Sequence, residues 1–493
     1  MGASDAFSWH MERDPVLRPP IVVAVWLDRA PGWDALMTRV DRVSRLVPSL
    51  RQHVIDCPAP VVVPRWTYDP DFDLNWHVRR IRAPEPGTRD GVVQLARRLA
   101  MDAFDRARPL WELTLVEGLE NGEAALLVKI HHSLSDGLGG MHMLEVIADR
   151  KRKPGRLGEM PPTPPGETVD QFALLTHAAG LMTTQLAGLA RRGAEGAIPA
   201  LLRSVRDPAG AARGTIELAR SVYRTAGPSS GAMSPQMRDR ATTRHLAMIE
   251  VSLDALKAAA KAADGTVNDA YLAAVTGGLR RYHERHGTCA EFLRAVVPLN
   301  LREAGDTSWG NKITLQRLIV PVGEPDPRTR MQALHRVTQA ARGEPSLPVT
   351  GMIAGALNML PVGYVGGVLK HVDFLASNVT GPAAPVYLAG GKVTGLFAFG
   401  PTIGASFNTT LLSYAGTCHI GVNIDTAAVP DPDVLLACLA EGLTEVTALG
   451  TAEPVLARPA GGPAGQSRQT PQKENGGHAA TRGAREARNV ESR

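Results

Sequence analysis

Ala124-Ala125-Leu126-Leu127-Val128-Lys129-Ile130-His131-His132, followed by Ser133-Leu134-Ser135-Asp136-Gly137, is the stretch from which the architecture is read. The apolar run predicts a strand over 124–132, and a helix is expected from about Asp136 to Ala148. Successive side chains of a strand point to opposite faces, so Leu126, Val128, Ile130 and His132 share one face while Leu127, Lys129 and His131 share the other. One histidine of the pair should enter an apolar interior and its neighbour should not. An imidazole titrates near neutrality, and the point where a strand stops and a helix begins suits a general base. Asp136 has three readings: it caps that helix, it holds the turn through an arginine, or it orients the imidazole directly. Plainer readings stand beside these. The histidines are ordinary strand residues, or H-H-x-x-x-D ligates a metal, although no nearby Cys or further His completes a ligand set.

Working outward, residues 1–150 alternate in type. An extended run at Ile21–Trp26 precedes a helical period through Trp33, Leu36, Val40, Val43 and Leu46, and a helix around Gly91–Phe104 precedes a strand at Trp111–Glu117. This is an α/β lobe. Residues 151–168, KRKPGRLGEMPPTPPGET, form a solvated connection and open a linker expected to run to residue 240. Within it, residues 171–190 carry no Asp, Glu, Lys or Arg but keep polar residues, which suits an amphipathic helix at a membrane surface. A second α/β lobe is expected over 241–455, with strands at Leu246–Val251, Arg294–Pro298 and Ile313–Val322. Its helices are expected at Asp254–Ala263, Val267–His283, Thr329–Ala341 and Asp433–Leu449. Residues 456–493 read as a disordered basic tail. Pro345 to Leu369 lacks charge over a length that could cross a bilayer, but its prolines and glycines favour a buried or membrane-touching hairpin.

At 493 residues, with 44% hydrophobic and 21% charged side chains, the chain is a globular protein of two or more domains rather than a disordered or coiled-coil one. Four dispersed cysteines fit a reducing cytoplasm, and Asp5, Glu12 and Asp14 stand where an export signal needs a basic start and an apolar run. The net charge of +5 is unevenly placed. Residues 171–224 set seven Arg against Glu195, Asp207 and Glu217, and the tail is basic as well, so the rest of the chain is nearly neutral. With few aromatics and no nucleic-acid-binding motif, no nucleic-acid partner is expected, and an anionic membrane surface is favoured.

The H-H-x-x-x-D-G motif at 131–137 resembles that of acyl-CoA-dependent acyltransferases related to chloramphenicol acetyltransferase. Within that superfamily the chain looks most like the bacterial wax ester synthase/diacylglycerol acyltransferase family. Six further blocks carry the resemblance in order: Ser4-Asp5-Ala6-Phe7, Pro109-Leu110-Trp111, Val267-Asn268-Asp269-Ala270, Val297-Pro298-Leu299-Asn300-Leu301-Arg302, Gly310-Asn311, and Ser377-Asn378-Val379-Thr380-Gly381-Pro382. Each has a plain alternative. Pro109-Leu110-Trp111 is most simply a strand entry with a buried indole, Asn268 and Asp269 sit where helix caps belong, and Ser377-Asn378 is most simply part of a turn.

The resemblance implies two chloramphenicol acetyltransferase-like lobes, each a mixed sheet with flanking helices, joined by the helical linker, with a substrate tunnel at their interface. It implies transfer of a long-chain acyl group from acyl-CoA to diacylglycerol or a long-chain alcohol, with no cofactor and no metal. His132 would be the general base beside His131 and Asp136. Gly137, Ser377 and Asn378 are carried over as candidate tunnel residues and Asn268 as a candidate oxyanion donor, while Arg302 is the candidate partner of Asp136. Attachment to the inner face of the membrane or to lipid droplets would follow from the apolar acceptor. The runner-up reading is a condensation-domain-like catalyst that takes a carrier-tethered acyl donor. No oligomeric state is read from the sequence.

Overall fold

Alternation along 124–131 produces the central strand of the first lobe. In the computed structural model of the chain, α1 (Ala3–Met11), β1 (Pro20–Leu27) and α2 (Trp33–Leu46) lead to a hairpin of β2 (Gln52–Ile55) and β3 (Arg65–Tyr68). Next come α3 (Leu74–His77), β4 (Val78–Arg82), α4 (Arg89–Met101), β5 (Trp111–Glu117), β6 (Ala124–His131) and α5 (Gly137–Ile147). After the linker the elements are β7 (Arg244–Ser252), α6 (Leu253–Ala262), α7 (Val267–Arg285), β8 (Phe292–Asn300), β9 (Ile313–Pro321) and α8 (Pro327–Arg342). The chain continues through β10 (Phe374–Thr380), β11 (Tyr387–Leu388), β12 (Gly391–Phe399), β13 (Phe407–Tyr414), β14 (Thr417–Asp425), α9 (Pro432–Thr447) and β15 (Arg458–Pro459). The structure describes every residue except 57–63, 135–136, 154, 156, 169–226, 228–230, 301–312, 345–354, 356–357, 359–365, 368, 451–457 and 460–493. The expected amphipathic linker, nearly all of the uncharged 345–369 segment and the basic tail therefore lie outside the described residues.

Two mixed sheets result. The first has the order β11-β12-β1-β6-β5-β4 and is antiparallel except where β4 runs parallel to β5. The second has the order β15-β7-β14-β13-β10-β8-β9, with β10 parallel to both β13 and β8. The expected α/β architecture of two sheet-and-helix lobes is what the chain adopts. Its two sheets are not, however, built from consecutive halves of the sequence. Strand β12 lies beside β1, with Ala24 opposite Phe397 on one edge and opposite Leu127 on the other, so residues 387–399 complete the first sheet.

Each face of the first sheet is covered differently. Val25, Leu113, Leu126 and Leu396 pack with Leu36, Val40 and Val43 of α2 and with Met143 and Leu144 of α5. The opposite face sets Val22, Ala24, Trp26, Leu127, Phe397 and Phe399 against Val92, Val93 and Ala96 of α4, and the same cluster takes in Leu246 and Met248 of β7. That shared apolar layer joins the lobes, and residues Met1–Gly461 form one compact unit. Gly421 of β14 faces β12 so closely that a Cβ there would stand 2.2 Å from the carbonyl oxygen of Ala398. Only glycine fits at that approach.

Local signals explain the element boundaries. Thr266 caps α7 and Asp269 reaches back to the Thr266 backbone, a reciprocal capping box. Asp326 caps α8 ahead of Pro327, and Thr88 caps α4. Among the described residues no helix is long and apolar enough to cross a membrane.

Candidate active site at the end of strand β6

Strand β6 ends at His131, one residue earlier than the sequence predicts, and His132 to Leu134 form a turn. The turn is closed by Leu134 N–H donating to the His131 carbonyl at 2.9 Å, while His132 N–H donates to the Pro19 carbonyl at 3.2 Å. The two imidazoles differ in burial. His131 is wholly buried and His132 half-buried.

His131 is sealed behind the sheet. Its ring lies edge-on to Trp9 and to Phe104, with centroids 6.2 and 5.7 Å away. Nδ1 accepts from Ser133 N–H at 3.1 Å and lies 2.7 Å from Ser133 Oγ. Nε2 looks toward Glu12 Oε2 at 3.7 Å. Complete burial, with His132, Arg106 and Lys129 adding positive neighbours, pushes the His131 pKa down to about 3. The ring is therefore neutral at physiological pH and sealed from solvent. Glu12 and Lys129 share this dry back face. Burial raises the Glu12 pKa against the pull of Phe104 N–H and Arg18, and burial lowers that of Lys129 against Glu112.

The opposite face of the strand meets hydrocarbon. Leu126, Val128 and Ile130 line an apolar cavity of about 110 Å³ together with Val23 and Val25 of β1, Val40 and Val43 of α2, Met141, Met143 and Leu144 of α5, and Leu388 and Leu396 of the imported β11–β12 pair. Trp111 forms part of its wall. Its indole is buried, as the plain reading of Pro109-Leu110-Trp111 as a strand entry has it, and its Nε1–H donates to the Leu50 carbonyl at 2.8 Å. His77 stacks on that indole at 4.5 Å, donates from Nδ1 to the Trp111 carbonyl at 2.7 Å, and is pushed by burial to about 4. Lined almost wholly by hydrocarbon, such a space stays dry and accepts apolar groups; engineered apolar cavities of about 150 Å³ take benzene.

The other sequence-predicted residues are placed less centrally. Gly137 opens α5, directly after Asp136; Asp136 and Arg302 both lie outside the described residues. Asn268 is half-buried in the first turn of α7, and the cap there is made by Thr266 and Asp269, whose carboxylate also binds His335 at 2.7 Å and Thr338 at 3.0 Å. Ser377 and Asn378 form no turn. They lie in β10, in parallel register with Thr410 and Leu411, because the buried run Phe374-Leu375-Ala376 and the β-branched Val379 and Thr380 carry the strand past them. Asn378 is exposed and Ser377, on the opposite face, half-buried. Among the described residues, no group of three or more His, Cys, Asp or Glu is arranged to hold a metal. Glu12, Trp9 and Ser133 were missed by the sequence reading. Strand alternation marks His131 as inward-facing, but nothing local announces a carboxylate about 120 residues earlier as its neighbour.

Comparison with known proteins places this geometry in context. Residues 1–271 match the wax ester synthase/diacylglycerol acyltransferase catalytic domain, and residues 309–447 match the C-terminal domain of the same family. A putative diacylglycerol O-acyltransferase of Mycobacterium tuberculosis is 36% identical over 467 residues, covering 94% of this chain and 93% of that protein. A probable diacylglycerol O-acyltransferase of the same species is 29% identical over 454 residues, 87% of this chain and 91% of its own length. Among solved structures, a wax ester synthase/diacylglycerol acyltransferase from Marinobacter aquaeolei superposes with a TM-score of 0.56 at 22% identity, covering 87% of this chain and 93% of that one. A mutant starter condensation domain of rhizomide synthetase, solved with C8-CoA, gives 0.57 at 13% identity over 92% and 95% of the two chains, a likeness of fold alone.

Proposed function

The chain belongs to the wax ester synthase/diacylglycerol acyltransferase family, and from that premise we propose that it transfers an acyl group from acyl-CoA to the hydroxyl of diacylglycerol or of a long-chain alcohol, with His132 as general base. The observation that carries this reading is the split between the two histidines. His131 is wholly buried and neutral, whereas His132 is half-buried in the turn that directly follows β6, whose Ile130 is a residue of the cavity wall. A hydrocarbon chain entering that cavity gains about 0.8 kcal/mol per buried methylene, which favours a lipid-derived acyl group.

In the proposed reaction His132 takes the acceptor's hydroxyl proton as its oxygen bonds to the thioester carbonyl carbon. The tetrahedral oxyanion collapses, the carbon–sulfur bond breaks, and the proton on His132 passes to the departing thiolate. Asn268 in the first turn of α7 is a proposed oxyanion donor, with a backbone N–H as the alternative. Asp136 is proposed to hold the fold through an arginine, with Arg302 as the candidate. No cofactor enters this scheme. The acceptors partition into bilayers, so peripheral attachment to a membrane or lipid-droplet surface through residues 171–224 is part of the proposal. Co-sedimentation with anionic vesicles should weaken when Arg191, Arg192, Arg203 and Arg206 are neutralised; unchanged binding would remove that segment from the reading.

Coenzyme A release by purified protein, with diolein and hexadecanol in parallel, tests the activity. His132→Ala should lower turnover by about 10²–10⁴, the usual contribution of a general base. His131→Ala should leave measurable turnover in the folded fraction. Full activity in His132→Ala would refute the assignment, and turnover only with a carrier-tethered donor would favour the condensation reading.

A further inference from the structure

The back of the histidine pair carries two buried polar atoms that face one another. His131 Nε2 and Glu12 Oε2 are 3.7 Å apart, their side chains are 0% and 4% exposed, and among the described residues neither atom has a hydrogen-bond partner. The tautomer follows from the other side of the ring. Ser133 N–H donates to Nδ1, so in the neutral imidazole the proton sits on Nε2 and points at the Glu12 carboxylate. A closure of about 0.5–1 Å makes that a full hydrogen bond.

We propose that Glu12 is a positioning residue for His132: its carboxylate accepts from His131 Nε2–H, holds that tautomer, and so clamps the 131–134 turn that carries His132. The inference rests on the reading of His132 as the base. In the opposite tautomer an N–H on Nδ1 would confront the N–H of Ser133, and the turn would lose the contact between its first and third residues. His132 stands between those two. A misplacement of about 1 Å in a catalytic group can cost roughly 10²-fold in rate.

The carboxylate is itself well anchored. Glu12 Oε1 accepts from Phe104 N–H at 3.4 Å. On the helix that delivers it, Trp9 Nε1–H donates to Asp56 Oδ1 at 2.6 Å, and just beyond it Asp14 pairs with Lys370 at 2.7 Å. The N-terminal helix thus connects the reacting strand end to the hairpin and to the C-terminal half. The sealed histidine is the relay.

Glu12→Asp and Glu12→Gln separate the possibilities. Asp keeps the charge and loses reach; Gln loses the charge and keeps an acceptor oxygen at the right distance. Coenzyme A release should show kcat reduced at least about tenfold in Glu12→Asp with KM little changed, and Glu12→Gln should recover to within about threefold of the parent. Melting temperatures taken on the same samples identify a purely structural role, which would move stability and leave kcat of the folded protein alone. Parental kcat in Glu12→Asp, or a larger loss in Glu12→Gln than in Glu12→Asp, overturns the positioning role while the His132 reading stands. Parental turnover in His132→Ala overturns both.

Discussion

Lowering the pH should destabilise this protein well before its carboxylates reach their ordinary titration range, because buried histidines must be charged to satisfy the unfolded chain. His131 is held at about 3 and His77 and His419 at about 4, in each case chiefly by burial. In the unfolded chain each returns to about 6.5. Since the folded values lie below the unfolded one, the unfolded state binds protons first, and the stabilisation is complete above about pH 6.5 and lost as pH falls toward the folded values. One pKa unit corresponds to about 1.4 kcal/mol, so three such groups give a slope of about 4 kcal/mol per pH unit between about pH 6 and 5. From pH 7 to 5 the loss is on the order of 5 kcal/mol, comparable to the whole stability of many domains. His283 and His245, also lowered by burial, add in the same direction, while the raised carboxyls of Glu12, Glu250 and Asp373 oppose it as they protonate. The assay is urea unfolding at fixed ionic strength from pH 7 to 5, for the parent and for His419→Leu. His419, on β14 of the second sheet, packs on Phe397 and Tyr414 with its Nε2 3.9 Å from Glu250, and among the described residues its Nδ1 has no hydrogen-bond partner, so its loss removes one proton from the slope without touching the proposed chemistry. A parent whose unfolding midpoint is flat over that range, or a variant with the parental slope, would refute the assignment of these histidines as buried and neutral.

Other outcomes follow from single contacts. Gly140→Ala places a methyl group with nothing among the described residues within 4 Å, in the interior of α5 and on the cavity wall, so it should stabilise by about 0.5–1 kcal/mol in thermal melts and raise KM for the longest acyl-CoA accepted. Trp111→Phe leaves the buried Leu50 carbonyl without its donor and should cost about 1–3 kcal/mol in denaturant unfolding. Gly421→Ala drives a methyl group into the Ala398 carbonyl; the sheets must separate, and a loss of at least about 1–3 kcal/mol is expected in the same measurement.

The sequence made β6 and its neighbours legible because a strand buried on both faces is an uninterrupted apolar run. Trp33–Leu46 and Trp111–Glu117 fall where their apolar periodicities place them. The inward facing of His131 follows from the same alternation and needs no knowledge of what the ring meets. What alternation cannot supply is the identity of a distant partner. Glu12 reaches His131 only after β1 and β6 have paired, and β12 reaches β1 from far along the chain. The short pieces β2, β3 and β4 were also missed, since four or five residues rich in Arg and polar side chains give almost no periodic signal. Ser377-Asn378 was misread because Asn beside Ser usually announces a turn, whereas the chain turns only at Gly381-Pro382, after Val379 and Thr380 have extended the strand.

The late arrival of β12 has a consequence in time. The ribosome finishes β1 within the first thirty residues, but the strand that occupies one of its two edges ends at Phe399. At roughly 5–20 residues per second, the growing chain waits on the order of 20–70 seconds with that edge unpaired. Val22, Val23, Ala24, Val25 and Trp26 meanwhile present an apolar strand with free backbone groups, the arrangement that invites pairing with another chain. Expression yield should therefore depend on elongation rate and on chaperone capacity, and a chain released before residue 391 should aggregate rather than persist as a folded N-terminal half.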